Sequence, residues 1–354
     1  MPGEMPRPAA IVEWSQQEHV PTWDDISTGR KWPDKPSPPL WVTGQHRSRS
    51  PLDRFTRFTA LAVAAVIAIP VAAALFVETR ISHTAVFAGY PGRPAAASGT
   101  NWLIVGSDSR QGLTRQQEDQ LVAGHDVGGM RSDTIMLVHI PSGPGRPILV
   151  SLPRDSYLPI PGQGRNKVNA AFSDGGPALL AQTVQNATGL RISHFAQIGF
   201  GGLVRVVNAV GGVRICIRER LDDKRSGTHL KAGCQTIDGS QALAFVRDRH
   251  SFQGDGDLRR EQDQRIFLEA LLKKATSSSV YLNPKSAAMT TLDASGTLGV
   301  DNGTHLWDLA GLSEALPGAR TLDVPTRDGT VKGVGDVLYW NTSAANRLFS
   351  SLRK

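Results

Sequence analysis

The sequence predicts an α/β domain, its helices packed on a mixed sheet, carried behind one transmembrane helix. Three observations lead there. Phe58–Val77 is a run of twenty residues without a charge. Beyond it, short apolar runs bounded by turn residues alternate with stretches of helical periodicity, the pattern of helices laid on a sheet. Finally, 40% hydrophobic and 20% charged residues in a chain of 354 supply a core for one or two domains. That excludes a wholly disordered chain, a collagen and a multi-span membrane protein.

Residues 1–57 hold nine of the 22 prolines and four of the seven tryptophans with no sustained apolar periodicity, so they read as a disordered tail. Trp14, Trp23, Trp32 and Trp41 recur every nine residues while their neighbours do not repeat. Coincidence accounts for that spacing; the alternative is a set of aromatic anchors for a cytosolic partner. Residues 58–77 at ~1.5 Å rise per residue span ~30 Å of hydrocarbon. A signal peptide has a shorter apolar core closer to the N-terminus, and a proline such as Pro70 is tolerated within a membrane span. Arg47, Arg49, Arg54 and Arg57 precede the run with only Asp53 against them, while Glu78 and Arg80 follow it. The positive-inside rule therefore places the N-terminus in the cytoplasm and everything after Val77 outside the cell membrane.

A linker over 78–98, rich in Gly, Pro and Ala toward its end, leads to a domain over 99–354. Asn101–Gly106, Thr134–Ile140 and Pro147–Leu152 read as buried strands. Helical patterns follow at Pro177–Thr188, Gly199–Val210 and Leu258–Ala275, with strand candidates at Val213–Ile217 and Leu243–Arg247. Leu306–Leu316 and Ser343–Leu352 read as helices of the same domain. Cys216 and Cys234, eighteen residues apart on the exterior side, read as a disulfide closing a polar loop.

The net charge is +7, which suggests an anionic partner without naming it. Nucleic acid is excluded as that partner. The tail's eight Lys/Arg face seven Asp/Glu, the rest of the surplus lies across the membrane, and no nucleic-acid-binding signature is present. Two cysteines exclude a four-thiolate zinc site. Gly-x-Ser-x-Gly, Walker A and His-Glu-x-x-His are absent, and there is no full calcium loop around Asp255–Asp257.

What remains is a series of acid and arginine pairs at strand ends. Asp108 follows the first strand in GSDSR, Arg131 and Asp133 precede the second in RSDT, and Arg154 and Asp155 follow the third in SLPRDS. Lys167 and Asn169 come next in NKVNAAF, and Arg247 and Arg249 close LAFVRDR. Asp257 caps the next helix, on which Arg260 and Gln264 share a face. Any one such pair is ordinary. Together, aspartates suited to Mg²⁺ and arginines suited to phosphate oxygens are the equipment of phosphoryl transfer.

The ordered blocks GSDSR, RSDTIMLVHI, LVSLPRDSYLPIPG, NKVNAAFSDGG, VVNAVGGVRI, IDGSQALAFVRDRH and DLRREQDQRIFLEALLKKA resemble the LytR-CpsA-Psr family of cell-wall ligases over about residues 99–350. The resemblance implies a three-layer α/β/α domain enclosing an apolar groove for a polyprenyl tail, with arginines at its mouth on the pyrophosphate. By position, Asp108 and Asp133 match its magnesium-associated aspartates, and Arg131 and Arg154 match phosphate-contacting arginines. Arg247, Arg249, Asp257, Arg260 and Gln264 match its R-x-R and D-x-x-R-x-x-R-Q signature. Lys167 and Asn169 join the expected pyrophosphate contacts, and Asp155 and Asp257 are the two candidates for the general base. Asp263 departs from the family, standing where many members carry arginine. No accessory domain is expected after the last block.

The implied activity is transfer of a glycopolymer from a polyprenyl-pyrophosphate carrier to a peptidoglycan hydroxyl, that of N-acetylmuramic acid, as a phosphodiester. The glycan is open among arabinogalactan-like, teichoic and capsular polymers. The rivals are a polyprenyl-pyrophosphate hydrolase and a lipid-binding signalling module. The helices Pro177–Thr188 and Gly199–Val210 are expected to line the groove.

Overall fold

The computed structural model describes residues 64, 68, 72, 75–110, 113–121, 123, 132–248, 266, 267, 270, 271, 274 and 298–353, without the Asp133 side chain. The expected tail and most of the expected span lie outside them. Within the span, Ala64, Ala68, Ala72 and Leu75–Val77 are helical. No helix among the described residues is long and apolar enough to cross a membrane.

Strands β1 (Ser82–Thr84) and β2 (Thr100–Ser107) are followed by the short helix α1 (Arg115–Gln120). Thr114 opens α1 with a capping box: its hydroxyl accepts from the Gln117 amide at 3.3 Å, and the Gln117 side chain accepts from the Thr114 amide at 2.9 Å. Next come β3 (Ser132–Ile140), β4 (Ile148–Leu152), the hairpin of β5 (Tyr157–Ile160) and β6 (Gly164–Lys167), and α2 (Val168–Thr188). They lead into β7 (His194–Ile198), α3 (Phe200–Ala209), β8 (Val213–Ile217), the hairpin of β9 (Leu221–Asp223) and β10 (Thr228–Leu230), β11 (Gly233–Ile237) and α4 (Gly239–Arg247). The chain closes with β12 (Leu298–Asp301), α5 (Leu306–Ala315), β13 (Arg320–Asp323), the hairpin of β14 (Thr326–Val331) and β15 (Gly335–Trp340), and α6 (Thr342–Ser351).

Seven strands form the central sheet in the order β1-β12-β7-β2-β3-β4-β13. It is mixed: β2 runs parallel to β7 and antiparallel to β3. Alternation along each strand divides its side chains between two faces. Leu103, Val105, Ile135, Leu137, Val150, Leu152 and Phe195 take one, where Leu180, Ala181 and Val184 of α2 and Phe349 of α6 seal them into a core. Trp102, Met136, Val138, Leu149 and Ala196 take the other, packed on Leu312 of α5. A separate cluster joins Val207 of α3, Val213 and Ile215 of β8, Ala242 and Phe245 of α4, and the helical residues Phe267 and Leu271. Cys216 and Cys234 stand directly opposite on the antiparallel pair β8–β11 and are bonded, as expected.

Three sequence expectations need correction. Leu243–Arg247 is no strand but the end of α4. Asp238 accepts from the Gln241 amide at 2.9 Å and the Gln241 side chain accepts from the Asp238 amide at 3.1 Å, a capping box that fixes a helix start just upstream of the apolar run. The helical stretch expected from Pro177 begins earlier, at Val168, and is broken where Gly175 and Gly176 leave helical geometry. Gly176 has φ +63°, open to glycine without a Cβ penalty, and Pro177 restarts the helix. Lastly, β7 was not expected at all, although it lies in mid-sheet between β2 and β12.

Candidate active site at one end of the sheet

The β2–β3 ladder pairs Gly106 with Thr134 and then Ser107 with Ser132, so Asp133 is the extra residue of a bulge. Bulges of this kind recur beside functional sites, where they redirect a side chain. Asp108 is the residue after Ser107. Ile198, the last residue of β7, lies beside Gly106, and Leu152, the last residue of β4, lies opposite Ile135. Asp108, Asp133, the Arg154–Asp155 pair and Phe200 therefore leave the sheet at the same end. In open α/β sheets this edge, beyond the carboxyl ends of parallel strands, is where ligands bind.

The Arg154–Asp155 segment is held on all sides. The Arg154 carbonyl accepts from the Asn169 amide at 3.2 Å, the Ser156 carbonyl from the Val168 amide at 2.8 Å, and the Asp155 carbonyl from the Leu338 amide at 2.9 Å. Trp340 Nε1 donates to Ser156 Oγ at 2.9 Å. On this base Asp155 gathers two cations: Lys167 Nζ lies 2.9 Å from Oδ1 and Arg154 Nε 3.4 Å from Oδ2, with all three side chains largely covered. Asn169 thus contributes through its main chain as a strut of that segment.

Arg247 ends α4 with its guanidinium 5.3 Å from the centre of the Phe200 ring and Nη1 donating to the Leu121 carbonyl at 3.3 Å. Arg110, in the GSDSR block, also approaches that ring, at 5.8 Å, and donates to the Ala123 carbonyl from Nη2 at 2.8 Å and Nε at 3.1 Å. The negative face of an aromatic ring attracts a guanidinium, so Phe200 and the end of α1 fix two positive groups in one place. Phe200 is fixed in turn by its amide, which donates to the Ser109 carbonyl at 2.9 Å. A Cβ on Gly199 would stand 2.7 Å from that same oxygen, so only glycine lets α3 start so close to the Asp108–Arg110 loop.

Beside Arg247 an apolar pocket, about 670 Å³ when the open solvent at its mouth is counted, runs between the sheet and α3. Ile104, Met136, Ile198, Leu203 and Phe267 form its walls, and Arg247 stands among them. The expectation for α3 as a wall holds. That for Pro177–Thr188 does not, because α2 packs its apolar residues into the core on the opposite sheet face. Instead, α2 borders a separate cleft with Val86, Phe87 and Tyr90. An apolar pocket with the Arg247 guanidinium in its lining and Arg110 close to the same Phe200 ring suits an amphiphile with an anionic head.

Of the expected site residues, Arg131, Arg249, Asp257, Arg260 and Gln264, and the side chain of Asp133, lie outside the described residues. Sequence reasoning missed Arg110 and Phe200. Arg110 sits two residues after Asp108 in a block already singled out, which was its available signal; nothing in the local sequence marks Phe200.

A family model described as the LytR_cpsA_psr family matches residues 78–353. The chain belongs to the LytR-CpsA-Psr family. Among curated members, the probable cell wall biosynthesis protein LcpB of Corynebacterium glutamicum is 48% identical over 260 residues, 73% of this chain and 62% of that protein. The polyisoprenyl-teichoic acid–peptidoglycan teichoic acid transferase TagU of Enterococcus faecalis is 36% identical over 154 residues, 43% of this chain and 50% of that one. The chain thus spans between half and two thirds of the length of these relatives. Among solved structures, the LytR-Csp2A-Psr enzyme from Actinomyces oris matches with a TM-score of 0.60 at 22% identity, covering 77% of this chain and 96% of that one. TagT bound to LI-WTA matches at 0.54 and 24% identity, covering 77% and 95%. The mixed central sheet with helices on both faces is the fold these family members share.

Proposed function

We propose that this protein is a membrane-anchored phosphotransferase that moves a glycopolymer from a polyprenyl-pyrophosphate carrier to a peptidoglycan sugar hydroxyl. One observation carries the reading: the apolar pocket lined by Arg247 and Phe200, whose ring Arg110 also approaches, at the sheet end that also bears Asp108 and the Arg154–Asp155–Lys167 group. The names of the relatives, a teichoic acid transferase and a probable cell wall biosynthesis protein, agree with it. The prenyl chain lies along Ile104, Met136 and Leu203, and the pyrophosphate meets the arginines and Lys167.

In the reaction the acceptor oxygen forms a bond to the phosphorus bearing the glycan, the bridging P–O bond breaks, and polyprenyl phosphate leaves with the bridging oxygen. The acceptor's proton passes to a carboxylate. Both Asp155 oxygens are engaged with cations, so Asp257 is our candidate for that base. Arg154 and Arg247 hold the phosphates in place and offset the charge gathering on the leaving group. Asp108, which follows β2, and Asp133, the bulge residue of the adjoining β3, are hard oxygen donors of the kind that would hold Mg²⁺, which when bound would neutralise phosphate charge. The arginine bias before Phe58 and the exposed disulfide support an N-terminus in the cytoplasm and a catalytic domain outside.

The test of occupancy is mass spectrometry of organic extracts from the protein purified in detergent. Prenyl phosphates recovered from wild type and lost from Arg247→Ala support the reading. Extracts without them, together with no binding of added polyprenyl phosphate, contradict it.

A further inference from the structure

We propose that Glu78, His83 and His305 form a site for a divalent cation of the zinc type, at the β1 edge of the sheet and separate from the aspartates at the ends of β2 and β3. Their donor atoms already share one small space. Glu78 Oε1 lies 2.7 Å from His305 Nδ1 and 3.9 Å from His83 Nε2, and all three donors lie within 4.8 Å of one another. Tetrahedral donors at ~2.0–2.1 Å from zinc stand about 3.3–3.4 Å apart. The two measured separations bracket that value, so one pair opens and the other closes by about 0.6 Å. Two imidazoles and one carboxylate with a fourth position open to water are a zinc donor set, and imidazole disfavours Mg²⁺ and Ca²⁺.

A second observation points to a positive ligand. His83 has a carbonyl oxygen at each ring nitrogen: Ile81 O is 3.2 Å from Nδ1 and Thr304 O is 3.1 Å from Nε2. A neutral imidazole has one N–H, so one of those contacts sets a lone pair against an oxygen. Positive charge at Nε2, from a metal ion or a second ring proton, removes that repulsion, and Glu78 Oε1 lies 3.9 Å from the same nitrogen to balance it. The other donors are oriented in the manner of metal ligands, whose outer contacts fix them. The Leu306 amide donates to Glu78 Oε2 at 3.0 Å, so an ion at Oε1 would replace the proton that Oε1 now shares with His305 Nδ1, and the Trp307 ring stacks on His305 at 4.4 Å.

The three residues come from separate parts of the chain. Glu78 is the first residue after the proposed span, His83 lies on the edge strand β1, and His305 opens α5. An ion there ties the chain leaving the membrane to the sheet edge and to α5. That consequence rests on the span assignment; the site itself does not.

The experiment uses the full chain in detergent, stripped of metal and kept in excess Mg²⁺ to occupy hard oxygen sites, and titrated with Co²⁺. The expected result is one equivalent bound with the visible bands of four-coordinate Co²⁺, displaced by Zn²⁺. His83→Ala and His305→Ala should each weaken Co²⁺ binding at least tenfold and abolish the rise in unfolding temperature that Zn²⁺ gives wild type. The wild-type titration needs no variant, so a misfolded variant leaves the test intact. No stoichiometric binding, or equal binding by wild type and both variants, overturns the proposal. So does a cluster that responds to pH and ignores Zn²⁺, which would assign its positive charge to a proton.

Discussion

Leu203→Ala separates the pocket under the arginines from the apolar core behind the sheet. Leu203 lines the pocket on α3 and is half-buried. Truncation removes three carbons, at about 0.8 kcal/mol for each fully buried methylene. Because part of that surface is already covered by the α3–α4 packing, about half of the total is left for a bound chain, ~1 kcal/mol or about fivefold in affinity. The assay is equilibrium binding of a long-chain polyprenyl phosphate to the full chain in detergent, compared with a short prenyl phosphate that reaches only the mouth. The long ligand should weaken about fivefold and the short one should not change. Leu180→Ala is the control: Leu180 is fully buried on the other sheet face, so it should cost about 2–5 kcal/mol of stability without altering the affinity of the folded fraction. Equal weakening of both ligands by Leu203→Ala, or a larger loss of lipid affinity in folded Leu180→Ala, would refute the placement of the chain.

Arg154→Ala and Arg247→Ala should each cost about 1.5–3 kcal/mol of lipid-pyrophosphate affinity, roughly 10–150-fold, even without metal, and lysine should not restore it; unchanged calorimetric affinities would move the head group elsewhere. Cys216→Ser with Cys234→Ser should lower stability by about 3 kcal/mol, the closure entropy of their loop, and leave transfer intact; urea unfolding measures the first and turnover the second. Asp301 accepts from the Phe195 amide at 2.8 Å, the Gly303 amide at 2.9 Å and the Thr304 hydroxyl, so Asp301→Ala should cost about 2–4 kcal/mol, and a loss under 1 kcal/mol would mean those donors find other partners. Burial pushes the His139 imidazole below its ordinary value. The unfolded chain therefore takes up the proton more readily, and stability should fall as pH drops below about 6.5. His139→Gln should flatten that part of the pH profile, and an unchanged slope would place the proton uptake elsewhere.

The sequence was informative where one local rule decides the outcome. Asn101–Gly106 and Thr134–Ile140 are short apolar runs bounded by turn residues, and both are buried strands; the acids at their ends mark the edge of the sheet. β7 escaped notice because His194 and Gln197 make it look polar. In the fold His194 stacks on Trp102, and Gln197 donates to Ser107 Oγ at 3.3 Å. Leu243–Arg247 misled for the opposite reason, since an apolar run fits strand and buried helix alike and the deciding Asp238–Gln241 box lies upstream. Periodicity also showed that Pro177–Thr188 buries a face without saying against which side of the sheet. Asp108, Arg154 and Asp155 were legible as residues that follow strands, whereas Arg247, read as the end of a strand, closes a helix. The assembly of Arg110 and Arg247 about Phe200 was not legible, because it joins side chains at 110, 200 and 247 that only the tertiary fold brings together.

The central claim is transfer, and reconstitution measures it most directly. The full chain, Mg²⁺, a polyprenyl-pyrophosphate-linked glycan and peptidoglycan fragments are combined, and the products are separated by mass. The account predicts a phosphodiester-linked glycan on the fragment, with one polyprenyl phosphate released for each bond formed, and loss of both products in Arg154→Ala. Polyprenyl phosphate released at the same rate without acceptor, with no glycan joined to the fragment, would contradict it and make the protein a hydrolase.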